Sequence, residues 1–120
     1  MIKNILLVGA GGALGSIARY LITCLFTHLA ICGELAILLV NIIGSFIIGL
    51  LIPASSNTLY LLMAVGFCGG FTTFSTFSAQ AFQMLQSGQR LSAIVYTLAS
   101  VLISVAFVFL GIYLSEKYIK

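Results

Sequence analysis

Apolar residues run along this chain in four long segments, and polar residues cluster between them. The segments lie near residues 4 to 26, 35 to 52, 59 to 85 and 91 to 115. A helix that crosses the hydrocarbon core of a bilayer needs about 20 mostly apolar residues, a length that each segment approaches or exceeds. The pattern predicts an all-α membrane protein with four transmembrane helices in a single domain, residues 1 to 120.

Composition excludes a water-soluble fold. Hydrophobic residues make up 62% of the chain, charged residues only 6%, and the mean hydropathy is +1.26, whereas soluble domains carry about 25% charged residues. We expect a multi-pass protein of the inner (plasma) membrane, surrounded by lipid and without a nucleic-acid partner. Because four short helices enclose little volume, we also expect a homo-oligomer with any solute pathway between subunits.

Basic residues are divided almost evenly between the two sides of the predicted bundle. Four spans place both termini on one side, with Lys3, Lys117 and Lys120, while the other side carries Arg90 and, if it reaches that interface, Arg19. This is a weak positive-inside signal, so we expect insertion in both orientations and antiparallel pairing. We expect the apolar segment after Lys3 to be the first span and not a secretory signal.

Polar residues inside the apolar segments form three groups. Residues 69 to 78 read GGFTTFSTFS, and glycines followed by hydroxyl residues predict a helix broken at mid-membrane depth. Asn41 and Ser45 share a face of the second span, because they lie four residues apart. The same spacing relates a third set on the fourth span, Tyr96, Ser100 and Ser104.

These groups limit the chemistry available in the membrane. No Asp, Glu, Lys, Arg or His occurs between residues 35 and 89, so hydrolytic catalysis and a carboxylate proton relay lack their apparatus, and we expect no enzyme. Amide and hydroxyl groups can donate hydrogen bonds to an anion, and phenyl edges carry the positive part of the ring quadrupole. Two hypotheses remain open at this point: a narrow path for a small, strongly hydrated anion, or a polar packed interface.

Other features of the first span have competing interpretations. Arg19 either snorkels to the interface or attracts anions in an aqueous vestibule, and these roles are compatible. Gly11 and Gly15 have the small-xxx-small spacing that lets helices approach closely. A metal-binding face could be formed on a continuous helix by Cys24, His28 and Cys32, which lie at intervals of four. These residues straddle the expected end of the first helix, so metal binding is the weaker hypothesis.

Three stretches of the chain occur together: GFCGGFTTFSTFS at residues 66 to 78, VNIIG at 40 to 44 and GSIARY at 15 to 20. This combination resembles the CrcB/Fluc family of fluoride channels. The resemblance covers essentially the whole chain. It implies an antiparallel, dual-topology homodimer with two pores that passively export fluoride from the cytoplasm.

The family resemblance also implies roles for particular residues. Arg19 matches an arginine near the vestibule, and the backbone carbonyls of Gly69 and Thr72 match those that hold a structural sodium ion at the dimer centre. The chain departs from many members at Gln80, where they carry Glu. The implied fluoride pore is lined by Asn41, Phe74, Ser75, Phe77, Tyr96, Ser100 and Ser104.

Two other classes of protein share parts of this pattern. A small multidrug-resistance type exporter also has four short spans and dual topology, but it depends on a membrane-embedded Glu in the first span, and this chain has none there. A nontransporting scaffold subunit would explain the packing glycines and leave the aligned polar groups unexplained.

Overall fold

The structure, a computed structural model, describes residues 1 to 119 and contains four helical spans. All four are long and apolar enough to cross a membrane, which confirms the prediction of an all-helical, multi-pass membrane protein. Lys120, used above in the topology prediction, lies outside the described residues. The spans are Ile2–His28, Gly33–Ala54, Asn57–Gln86 and Arg90–Ile119.

The third span consists of two half-helices. The N-terminal half-helix, residues 57 to 71, begins and ends with short α-helical turns and is π-helical over Tyr60–Cys68. Thr72 and Thr73 are both extended, with φ, ψ of −85°, 161° and −151°, 120°. The C-terminal half-helix then runs over Phe74–Gln86. The helix is thus interrupted in the run of glycine and hydroxyl residues. The π-helical turns before the interruption were not predicted from the sequence.

Glycines bring the helices together in pairs. The first helix packs mainly on the N-terminal half-helix, and the second helix packs on the fourth. A methyl group at Gly11 or Gly15 would overlap the backbone of the half-helix, at the carbonyl oxygens of Leu62 and Phe67 respectively. This confirms the packing role predicted for the two glycines.

Large apolar side chains cover the outside of the chain. Leu6 and Leu102 are each 65% exposed, whereas the buried cluster is small and centres on Ile37, Phe77 and Tyr96. This arrangement suits a protein surrounded by hydrocarbon, because lipid tails are as apolar as leucine and give such side chains no reason to turn inward.

Candidate ion pathway at the helix break

Asn41 of the second helix pairs with the backbone of Thr73 at the helix break. The Asn41 side chain donates from Nδ2 to the Thr73 carbonyl at 3.2 Å, and the Thr73 N–H donates to Asn41 Oδ1 at 2.8 Å. A carboxamide carries two N–H donors, so one remains for another acceptor. Asn41 therefore replaces the helical acceptor that the Thr73 N–H loses, and it adds a donor to the Thr73 carbonyl, which is the N-cap carbonyl of the C-terminal half-helix.

Arg19 contacts the break from the first helix. Its Nε donates to the Gly70 carbonyl oxygen at 3.1 Å, and the residue is half-buried. In an unbroken helix that oxygen would accept the N–H of Phe74. The structure thus places the guanidinium beside the interrupted backbone.

A cavity of about 280 Å³ lies beside the break. It brings together five of the predicted pore residues, from the second, third and fourth spans: Asn41, Phe74, Phe77, Ser100 and Ser104. Its other lining residues are Ser45, Thr72, Thr73, Val101 and Val105.

Two phenylalanines of the C-terminal half-helix form part of the cavity wall. The Phe74 and Phe77 ring centroids lie 5.6 Å apart, with the ring planes tilted by 58°. Phe77 is 7% exposed, but Phe74 is 78% exposed in the single chain. The cavity is therefore bordered on one side by an aromatic ring that has little cover within the single chain.

Tyr96 and Ser75, also predicted to line the pore, lie outside this cavity. The Tyr96 ring packs against Phe77 with centroids 5.3 Å apart, and its hydroxyl donates to Gln80 Oε1 at 2.7 Å. Ser75 is exposed, and its hydroxyl lies 3.4 Å from that of Thr73. Both residues lie next to lining residues of the cavity but do not line it themselves.

The hydroxyls of Ser100 and Ser104 are buried and, within the described residues, have no hydrogen-bond partner. This is unusual in the chain, because several hydroxyls donate to a carbonyl four residues earlier in their own helix, among them Thr23, Ser55 and Ser78. A buried hydroxyl without a partner costs about 1 to 3 kcal/mol. Both side chains line the cavity, and rotation about the Cα–Cβ bond would turn each hydroxyl toward a ligand there.

A second cavity of about 220 Å³ contains the two residues predicted to hold sodium, Gly69 and Thr72. In an unbroken helix their carbonyls would accept from the N–H groups of Thr73 and Thr76. Those N–H groups donate instead to Asn41 Oδ1 and to the Thr73 hydroxyl. The two carbonyl oxygens have therefore lost their helical partners, and oxygen ligands of this kind suit a hard cation.

Residues 6–112 match the family model described as CrcB-like protein, Camphor Resistance (CrcB). The chain belongs to the CrcB family. This confirms the resemblance seen in the sequence, and curated relatives extend it over nearly the full length.

These relatives carry one name, Fluoride-specific ion channel FluC. The relative from Gloeothece citriformis (strain PCC 7424) is 48% identical over 120 residues, which cover 95% of this chain and 98% of the relative. The relative from Prosthecochloris aestuarii (strain DSM 271 / SK 413) is 40% identical over 95% of this chain and 94% of its own. The relative from Leptospira interrogans serogroup Icterohaemorrhagiae serovar copenhageni (strain Fiocruz L1-130) is 40% identical over 97% of each chain.

Ser45 is a polar lining residue of this CrcB chain that was not assigned to the pore from sequence. Ser45 lies in the walls of both cavities, one helical turn after Asn41. The sequence indicated only that Ser45 shares a helix face with Asn41, and a shared face does not identify the residues or cavities that it contacts.

The metal-binding alternative at the end of the first helix is not supported. The helix ends at His28, and Cys32 precedes the second helix as its N-cap. Within residues 1 to 119, no group of three or more His, Cys, Asp or Glu side chains could hold a metal ion. The bend after His28 separates side chains that a continuous helix would have aligned.

Proposed function

We propose that this CrcB chain is a fluoride-selective channel that lets fluoride leave the cytoplasm passively through the inner membrane. The observation that carries the proposal is the pair of unpartnered hydroxyls on Ser100 and Ser104, which line the same cavity as Asn41 and Phe77. Hydroxyl and amide protons together with phenyl edges form a donor set for an anion. The name shared by the curated relatives supports fluoride as that anion.

The energetic task of such a pore is to replace the hydration shell of the ion in stages. Moving a bare charge into the membrane interior costs on the order of 20 kcal/mol by Born arguments. Several weak donors can repay this cost without any single site holding the ion too tightly to release it. Ser75 and Tyr96 extend the proposed pathway beyond the cavity, since each adjoins a lining residue.

We further propose that two subunits pair antiparallel, with the helix break at mid-membrane depth and a pore on each side of the dimer. The 78% exposure of the Phe74 ring supports a partner, because a pore wall needs cover on that side. The carbonyls of Gly69 and Thr72 would hold the central sodium ion, to which they would supply neutral oxygen ligands.

Dual insertion is testable with a single cysteine added after the last residue, in a background where Cys24, Cys32 and Cys68 are replaced by alanine. An impermeant thiol reagent should label about half of the protein from each side of the membrane, as antiparallel pairing requires. Labelling from one side alone would contradict the antiparallel dimer.

The function is tested with purified protein in liposomes loaded with potassium fluoride or potassium chloride. After addition of a potassium ionophore, fluoride should leave rapidly and chloride should remain. Phe77→Ile should strongly reduce fluoride efflux, because it replaces a buried ring of the cavity wall. Phe82→Ile is the matched control, since Phe82 lies on the same half-helix with 59% of its surface exposed.

Two results would count against this proposal. Equal efflux of chloride and fluoride would refute the selectivity. Unchanged fluoride efflux in Phe77→Ile would remove the ring from the pathway.

A further inference from the structure

We infer that Arg19 is a positioning residue that holds the helix break in place, and that its Nε–H donor matters more than its positive charge. The inference rests on the proposed channel function, because the break supplies two walls of the proposed pathway. It assigns to Arg19 a role different from that of a charge exposed in a vestibule.

The first step concerns the Gly70 carbonyl. Because Thr72 and Thr73 are extended, this oxygen loses the N–H of Phe74 that it would accept in a continuous helix. A backbone polar group without a partner costs several kcal/mol in hydrocarbon. The only donor to it from another helix that the structure shows is Arg19 Nε, at 3.1 Å.

The second step concerns how firmly Arg19 is placed. Gly11, Gly15 and Arg19 follow one another at intervals of four and therefore share a face of the first helix. The two glycines are in close backbone contact with the N-terminal half-helix, and a methyl at Gly70 would come within 2.9 Å of Ser16 Oγ. The first helix is thus in close contact with the half-helix to which Arg19 donates its hydrogen bond. The backbone of Arg19 is therefore fixed relative to the Gly70 carbonyl.

The third step is that the break is held from two sides. Arg19 on the first helix binds the last turn before the break, and Asn41 on the second helix binds Thr73 within it. If the backbone rewound to a continuous helix, Gly70 and Thr73 would bond within the span and both side chains would lose their partners. The two side chains therefore favour the broken form and, with it, the positions of Phe74 and Phe77.

Three substitutions separate the donor from the charge. In Arg19→Gln the amide nitrogen lies the same number of bonds from the backbone as Nε, so the donor is kept and the charge is lost. In Arg19→Lys a methylene takes that position, so the charge is kept and the donor is displaced. Arg19→Met lacks both and has a side chain of the same length as that of Arg19→Gln.

We expect fluoride efflux to fall by no more than about threefold in Arg19→Gln and by about tenfold or more in Arg19→Lys and Arg19→Met, the effect of one lost hydrogen bond. A vestibule charge predicts the opposite order, with Lys active and Gln impaired, and a strong dependence of the wild-type rate on ionic strength. That result would overturn the inference. Should Arg19→Met fail to fold, the Gln and Lys variants still decide between the two roles.

A second measurement does not depend on conduction. Solid-state NMR on wild-type protein in lipid, labelled with ¹⁵Nε arginine and ¹³C′ glycine, should show a coupling that corresponds to about 4 Å between Arg19 Nε and the Gly70 carbonyl carbon, given a C=O bond of about 1.2 Å. The coupling should be absent in Arg19→Lys. If the coupling is present but fluoride does not flow, the channel proposal fails and the contact stands. If it is absent in the wild type, the positioning role is wrong.

Discussion

Replacing Asn41 with alanine removes both hydrogen bonds that hold Thr73 at the break. The Thr73 N–H would lose its acceptor at 2.8 Å, and the Thr73 carbonyl would lose the Asn41 donor at 3.2 Å. As the N-cap carbonyl of the C-terminal half-helix, that oxygen keeps the first helical hydrogen bond, so only the N–H is left without a partner. We therefore expect Asn41→Ala to lower the free energy of unfolding by about 1 to 3 kcal/mol.

The measurement is equilibrium unfolding in mixed detergent micelles, followed by far-UV circular dichroism, together with fluoride efflux from liposomes. Ser78→Ala is the control, because the Ser78 hydroxyl donates only to the Phe74 carbonyl at an exposed position, and its loss should change stability by less than about 0.5 kcal/mol. If the free energy of unfolding of Asn41→Ala equals that of Ser78→Ala, and Asn41→Ala conducts fluoride at the wild-type rate, Asn41 neither holds the break nor serves the pathway.

Asn41→Asp divides the effect further. The carboxylate keeps an acceptor for the Thr73 N–H but faces the Thr73 carbonyl with an oxygen in place of a donor. It also adds negative charge to the wall of the proposed anion pathway. We expect a loss of stability at least as large as in Asn41→Ala, because a half-buried carboxylate facing a carbonyl is costly, and a larger loss of fluoride efflux. Efflux at the wild-type rate in Asn41→Asp would contradict anion passage beside this residue.

Two further predictions concern packing and the hydroxyl pair. Gly15→Ala should destabilise the fold by about 1 to 3 kcal/mol in the same unfolding assay, as overpacking does, because the methyl would overlap Phe67 and approach the Phe71 backbone nitrogen to 2.8 Å. Gly9→Ala is the control: Gly9 has open space around it, so this variant should be neutral or slightly stabilising. Equal changes in stability in the two variants would refute the close approach at Gly15. The double substitution of Ser100 and Ser104 by alanine should leave stability unchanged or raise it, since two unpartnered hydroxyls disappear, while fluoride efflux falls; unchanged efflux would show that the hydroxyls do not meet the ion.

The sequence by itself determined the features that depend on short stretches of chain. Length and apolarity are properties of each segment alone, so the four spans could be predicted without knowledge of their neighbours. The break at Thr72 and Thr73 follows from glycine and hydroxyl residues acting on their own backbone. The spacing of Gly11 and Gly15 was also sufficient, because close approach needs only a face without side chains.

Tertiary structure decided which groups meet. Asn41 bonds a residue 32 positions away, and Arg19 bonds one 51 positions away, and neither pairing leaves a trace in local periodicity. A spacing of four identifies a common face of a helix, but the rotation and depth of the neighbouring helix decide what that face meets. For this reason Ser45 joins the cavity wall while Tyr96, on the same stripe as Ser100, turns its hydroxyl to Gln80.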